Sequence, residues 1–298
     1  MKIGVAHSTL YEEDGSIASP AAVADRVEEL DLDSMWVSDH LAWETPILES
    51  SLVLAAASSV TRRIELGFAV LQLALRPLAW AAKQVATLQA LSGGRVILGV
   101  GVGGHPEAEW EAAGMSLADR GRRTDDALRA LPSLLAGTPT LLPGTPDTSV
   151  TLQPGVATPP VWVGGDSKAA LRRAARLGDG WLPAAITLDG IRAGQATLRE
   201  LSQEAGRPMP AVSVSVFATL DAHLGGMSRE ALVGMMSDEW GFPREAADQV
   251  VLSGTPTEVA ERLDEHAESG VEHIIVTPFG GSWRRQCDLL AEAKSLLS

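Results

Sequence analysis

Ser92-Gly93-Gly94-Arg95-Val96-Ile97-Leu98-Gly99-Val100-Gly101-Val102-Gly103-Gly104 holds a helix stop, a short strand and a glycine run in one continuous stretch. Ser92-Gly93-Gly94 ends a helix, because glycine adopts the left-handed conformation that closes one. In the strand-length run 95–100, the residues after Arg95 are apolar without polar alternation, as expected of a parallel strand covered on both faces. The glycines that follow, Gly101 and Gly103 among them, carry no Cβ atoms, so a bulky planar ligand can approach the backbone there. The acidic segment 107–111 comes next.

Outward from this stretch the same layout of strand, irregular loop and helix repeats. Strand-length apolar runs occur at 2–6, 34–38, 64–71, 95–100, 161–163, 180–183, 212–220 and 273–277. Helical patterns occupy 21–30, 52–59, 78–91, 118–136, 168–177, 191–205, several segments within 228–269, and 284–297. Leu78, Ala81, Ala82, Val85, Leu88 and Leu91 form the apolar stripe of the helix that Gly93 closes. Thr255-Pro256-Thr257-Glu258 reads as a capping box with proline at the first helical position, and Val259, Leu263 and Ala267 follow at helical spacing. Eight βα units close most economically as an α/β (β/α)8 barrel, here one domain over 1–298, with an open doubly wound sheet as the alternative. Two insertions break the rhythm, 137–160 after strand four and 221–253 after strand seven, and both are expected to cover a pocket mouth.

Composition narrows the function classes. With 298 residues, 45% of them hydrophobic, the chain can bury a large core. Its 24 basic and 38 acidic residues give a net charge of −14, which repels polyphosphate and anionic lipid, so neither nucleic acid nor membrane is an expected partner. The single cysteine, Cys287, allows no internal disulfide, and the N-terminus lacks a signal peptide's basic start, apolar stretch and cleavage site. A cytoplasmic location is the expectation. No apolar run reaches the roughly 18 residues of a membrane span.

In a barrel, chemistry belongs at the carboxyl ends of the strands. Those ends read Ala6-His7-Ser8-Thr9, Ser38-Asp39-His40, Val70-Leu71-Gln72, the glycine run with His105, and Gly164-Gly165-Asp166-Ser167-Lys168. His40 is the leading catalytic candidate, since an imidazole gives or takes a proton near neutral pH. The structural alternative is that Asp39-His40 only holds the loop. Trp43 is a candidate wall and Glu44 a candidate acid. His7 and His105 are candidate substrate contacts or a second proton relay, against a plain surface role. Gly164, Gly165 and Ser167 offer N–H groups and a helix N-terminus to a phosphate; Asp166 suits that place only if it caps the helix and points away. Glu107 and Glu109 are read as helix-capping acids. Trp36, Trp162 and Trp181 lie in strands, Trp80, Trp110 and Trp240 are expected to pack helices, and Trp43, Trp240 and Trp283 are possible pocket walls. His223, His266 and His273 receive no role.

Other chemistries fit poorly. A Schiff base wants a lysine inside the barrel, but Lys2 only begins a strand, Lys83 and Lys294 lie in helices and Lys168 opens one; no His-x-His or His-Glu-x-x-His supplies a metal site, and Gly-x-Ser-x-Gly is absent.

Met35-Trp36-Val37-Ser38-Asp39-His40, Ala82-Lys83-Gln84-Val85-Ala86-Thr87-Leu88 with Leu91-Ser92-Gly93-Gly94-Arg95, and Pro160-Val161-Trp162-Val163-Gly164-Gly165 resemble the bacterial luciferase-like superfamily. So do Ala118-Asp119-Arg120-Gly121-Arg122-Arg123, Arg176-Leu177-Gly178-Asp179-Gly180-Trp181 and Gly254-Thr255-Pro256-Thr257-Glu258-Val259. The resemblance implies a (β/α)8 barrel that binds the deazaflavin F420 or, alternatively, FMN, with the F420-dependent oxidoreductases the nearer in style. It places Asp39 and His40 beside the ring, a cis peptide at Ala69–Val70 behind it, and the cofactor phosphate at Gly164-Gly165-Asp166-Ser167. It further implies a homodimer, with the apolar second and third helices as the expected contact, a small uncharged or weakly polar organic substrate, and a separate flavin or F420 reductase as a partner. Three readings stand: F420-dependent hydride transfer, an FMN monooxygenase using reduced flavin and O2, and a non-catalytic flavin-binding barrel.

Overall fold

The structure, a computed structural model, describes all residues except 8, 9, 11, 13, 14, 225 and 298, so Ser8 and Thr9 of the first strand end lie outside the described residues. Eight parallel strands form the ring: β1 (Lys2–Ala6), β2 (Ser34–Val37), β3 (Glu65–Phe68), β4 (Val96–Val100), β5 (Val161–Gly164), β6 (Gly180–Leu182), β7 (Ala211–Thr219) and β8 (His273–Pro278). Pairing runs in chain order, and Lys2 opposite His273 and Gly180 opposite Ala211 close it, so this is a (β/α)8 barrel. Helices cover the ring: α1 (Pro20–Glu29), α2 (Ser50–Val60), α3 (Leu78–Ser92), α4 (Glu107–Ala112), α5 (Arg120–Leu135), α6 (Lys168–Leu177), α7 (Leu188–Ala205), α8 (Arg229–Asp238), α9 (Arg244–Val250), α10 (Pro256–Glu268) and α11 (Trp283–Ser295). Gly93 closes α3 with φ at 68°, and the capping box at Thr255 is formed. Because every ring strand is parallel, all their carboxyl ends lie on one face.

Strand alternation sorts the side chains. Ile3, Val5, Met35, Val37, Leu66, Phe68, Leu98 and Val163 face the helices. Ala6, Trp36, Ile97, Trp162, Leu182 and Ile275 fill the ring's interior. Trp36 and Trp162 stack there at 5.3 Å, and the His273 ring stands edge-on to both. Two indoles fit only because neighbouring strands carry glycine: a Cβ on Gly67 would lie 2.0 Å from the Trp36 ring, and one on Gly180 2.3 Å from Trp162. Trp181 faces outward, against Gly194 of α7. Trp110 is buried, whereas Trp80 is exposed on α3, so the expectation that it packs between helices fails.

His273 accepts or donates a 2.7 Å hydrogen bond at Ser34 Oγ in this interior. Burial pushes its imidazole from 6.5 down to about 3. His7, 4% exposed, is likewise pushed by burial to about 3. Both native values lie below the unfolded one, so these residues stabilise fully above about pH 6.5, and that stability is lost as pH falls toward 3, by about 1.4 kcal/mol per pH unit for each. Urea midpoints should therefore drop between about pH 7.5 and 5, with proton uptake on unfolding; a level midpoint over that range would contradict the assignment.

Segment 137–160 contains a hairpin of Thr140–Leu142 and Thr145–Val150. It lies along α3 and α5, where Lys83 Nζ meets Gln153 O and Gln89 Nε2 donates to Ala157 O at 3.3 Å. Its tip lines a flank cleft of about 350 Å³ with Arg76, Leu78, Arg122 and Asp126. Segment 221–253 carries α8 and α9 and packs on the ends of β7 and β8. Among the described residues, no helix is long and apolar enough to cross a membrane.

Candidate active site

The ends of β2, β3 and β4 converge on His40. Alternation continues past β2: Val37 points out, Ser38 in, Asp39 out, so the Asp39 carboxylate is buried behind the mouth. Arg76 Nη2 donates to both its oxygens at 2.7 and 2.6 Å, Ser50 Oγ to Oδ1 at 2.8 Å, and the Gln72 backbone N–H to Oδ2 at 3.0 Å. With its lone pairs taken by these donors, Asp39 anchors the loop and is turned away from the cofactor contact expected of it, whereas His40 is half-buried.

Glu109, on α4, is fully buried, and both its oxygens lie 3.3 Å from His40 Nδ1. Leu41 N donates to Oε2 at 3.0 Å and Gln72 Nε2 to Oε1 at 3.2 Å. Glu109, read from sequence as a helix cap, is thus the carboxylate that meets His40, and Glu44, the expected acid, is exposed. The cause is the seating of α4. Trp110 is buried against Ala74 and Leu75, which turns the preceding side chain toward β2. The hydrogen bonds of this ring run through Nδ1; among the described residues none is made by its other nitrogen, Nε2. The Trp43 ring lies 4.2 Å from the His40 ring and 5.6 Å from that of His105, forming one aromatic edge of the mouth.

His7 does not join them. It follows Val5 on the outward side of β1, and its Nε2 faces Cys287 Sγ of α11 at 3.7 Å. The sequence places it at a strand end correctly, but parity turns it from the mouth, which corrects its assignment as a substrate contact. His105 is exposed at the rim.

The Ala69–Val70 peptide is cis. Val70 sits between the two glycine strands: a Cβ on Gly101 would lie 2.2 Å from its Cγ2, and one on Gly164 2.9 Å from its Cγ1. Gly103, with φ at 63°, gives room to the Gln72 amide, 1.8 Å from where its Cβ would be. Behind β5, Gly165 has φ at 95°, its N–H donates to Leu182 O at 3.3 Å, and its carbonyl accepts from Trp181 Nε1 at 2.8 Å. Ser167, not Asp166, caps α6, accepting from Ala170 N at 3.2 Å, and its own O–H stays available beside the unpaired N–H groups of the first turn. Asp166 is exposed. Opposite β3 in the ring, Phe217, Trp240 and Phe279 make a second aromatic wall with centroids 5.1 to 5.7 Å apart. Trp283 is buried in α11 and takes no part.

The profile of the luciferase-like monooxygenase family matches residues 1–232. An uncharacterized protein of Mycobacterium tuberculosis is 39% identical over 168 residues, which are 55% of this chain; the match spans only 58% of that relative's length. An F420-dependent secondary alcohol dehydrogenase, solved with an F420-acetone adduct, superposes with a TM-score of 0.79 at 18% identity, covering 98% of this chain and 97% of that one. The oxygenating constituent of 3,6-diketocamphane monooxygenase of Pseudomonas putida, solved with FMN, gives 0.78 at 19% identity, covering 100% and 99%.

Proposed function

Because the chain belongs to the luciferase-like monooxygenase family, we propose that it is an F420-dependent oxidoreductase acting on a small, uncharged or weakly polar alcohol or carbonyl compound. The observation that carries this reading is the buried Glu109 held against Nδ1 of a half-buried His40 at the barrel mouth. The dehydrogenase solved with F420 and acetone, which shares the fold, supports the pairing of such a substrate with this barrel.

The residues present fit a phosphate-tethered planar cofactor. Any Cβ on Gly101 or Gly164 would strike Val70, so the platform between β4 and β5 stays at backbone height. The Ser167 hydroxyl and the first-turn N–H groups of α6 would hold the phosphate, and Gly165, whose own N–H is paired with Leu182 O, would let it approach the backbone. When bound, F420 supplies two-electron hydride chemistry. His40 Nε2 then takes the proton from a substrate hydroxyl, or returns it to a carbonyl oxygen, while Glu109 stabilises the charged ring. Trp43 and the Phe217–Trp240–Phe279 wall, the latter supplied in part by segment 221–253, exclude water from either side.

That apolar wall favours a second reading, an FMN monooxygenase working with reduced flavin and O2, since such chemistry needs a dry pocket. Fluorescence titration with F420 and with FMN, each oxidised and reduced, separates the two. F420 should bind the tighter, without oxygen uptake. Tighter FMN binding with oxygen uptake on reduction would overturn the first reading. A homodimer belongs to the same proposal: Leu52 on α2 and Trp80 and Leu91 on α3 are large, apolar and exposed on two adjoining helices. Sedimentation velocity on the titrated sample reads the oligomeric state.

A further inference from the structure

We propose that Gln72 is a positioning residue that sets the tautomer of His40, a role that rests on His40 being the proton-transfer group. Gln72 is 2% exposed and stands between the two acids of the site. Its Nε2 donates to Asp39 O at 2.6 Å and to Glu109 Oε1 at 3.2 Å, and lies 3.4 Å from His40 Nδ1. An amide nitrogen has two hydrogens, and both are directed to oxygens. None remains for Nδ1, so the imidazole must itself carry hydrogen there and donate it to Glu109.

The amide's orientation is not free. Flipped, Oε1 would face the Asp39 carbonyl and the Glu109 carboxylate, three acceptors with at most the single Nδ1 hydrogen of His40 among them. In the observed orientation Oε1 is buried without a partner among the described residues, pressed toward Gly103. A buried unpaired acceptor is unfavourable by itself. It is tolerated because the same rotation gives Glu109 one of its N–H donors and ties it to the residue immediately before His40. Gln72 also fixes Asp39 through its backbone N–H, and Arg76 holds that carboxylate from the far side. Arg76, Asp39, Gln72, Glu109 and His40 thus form one hydrogen-bonded chain ending at Nδ1, with Nε2 as the atom presented to substrate.

The test uses Gln72→Met, which keeps the volume and the backbone N–H but removes the amide. Imidazole 15N shifts of the cofactor-free protein, assigned with a His40→Gln variant, read the tautomer directly. The neutral ring of wild type should show Nδ1 protonated and Nε2 bare; that of Gln72→Met should show the two tautomers mixed. Turnover should fall on the order of 10²-fold, with KM little changed and the pH–rate profile moved. Gln72→Asn, whose amide falls one methylene short of Asp39 O and Glu109 Oε1, should shift the tautomer in the same direction; it also serves if the Met variant does not fold. An unchanged tautomer and pH profile in a folded variant would overturn the proposal. Parent-rate turnover by a His40→Ala variant would remove the proton-transfer reading instead, leaving the 15N result to judge Gln72 separately.

Discussion

Replacing His40 with alanine should lower turnover by about 10²- to 10⁴-fold, the range general acid–base catalysis commonly contributes. Cofactor affinity and folding stability should change little, because the ring is partly exposed and the groups behind it keep their partners. Glu109 would still accept from Leu41 N at 3.0 Å and from Gln72 Nε2 at 3.2 Å, so the substitution leaves no buried charge bare. Glu109→Gln should impair the same step by another route. Its amide removes the negative charge that favours the imidazolium and can present an N–H to Nδ1, turning the ring to the opposite tautomer. Steady-state rates across pH on both variants test this, with cofactor binding measured by fluorescence. A Glu109→Gln enzyme with the parent's rate and profile would show that the pair is structural.

Gly99→Ala should be the most damaging single methyl in the barrel. Its Cβ would lie 1.9 Å from the Phe68 carbonyl oxygen, main chain of the adjacent strand, and 3.4 Å from Leu182. A side chain can rotate away; a paired backbone cannot, and Leu71 N already donates to Gly99 O at 2.8 Å across the same seam. Relief requires β3 and β4 to part, so we expect a loss of about 3 kcal/mol or more. Gly234→Ala, on α8 with nothing near its Cβ, is the matched control and should be neutral or stabilising by about 1 kcal/mol. Urea midpoints compare them directly; equal midpoints would refute the steric account. Because Gln72 follows Leu71 on that seam, Gly99→Ala should also disturb the His40 environment in whatever fraction folds.

Much of this architecture follows from short-range pattern. The eight ring strands lie where strand-length, mostly apolar runs predict them, α3 ends at Gly93, and Thr255 and Glu258 form their box, since each depends on residues within one or two turns. The glycine run does approach a neighbour closely, although Gly101 and Gly103 first make room for Val70 and Gln72 of the adjoining strand end. That detail needs two segments some thirty positions apart, and no local pattern carries it.

Sequence alone determined that polar residues would gather at one end of a barrel, because alternating βα units force parallel strands and parallel strands share a face. It could place His40 and the Gly164–Ser167 loop at that end for the same reason. Which side chains turn inward was decided only by tertiary structure. His7 and Asp39 stand at strand ends yet point outward by the parity of their strands. Glu109 instead of Glu44 faces His40, because burial of Trp110 against Ala74 and Leu75 fixes the rotation of α4, and a helix turned by one residue aims its carboxylate elsewhere.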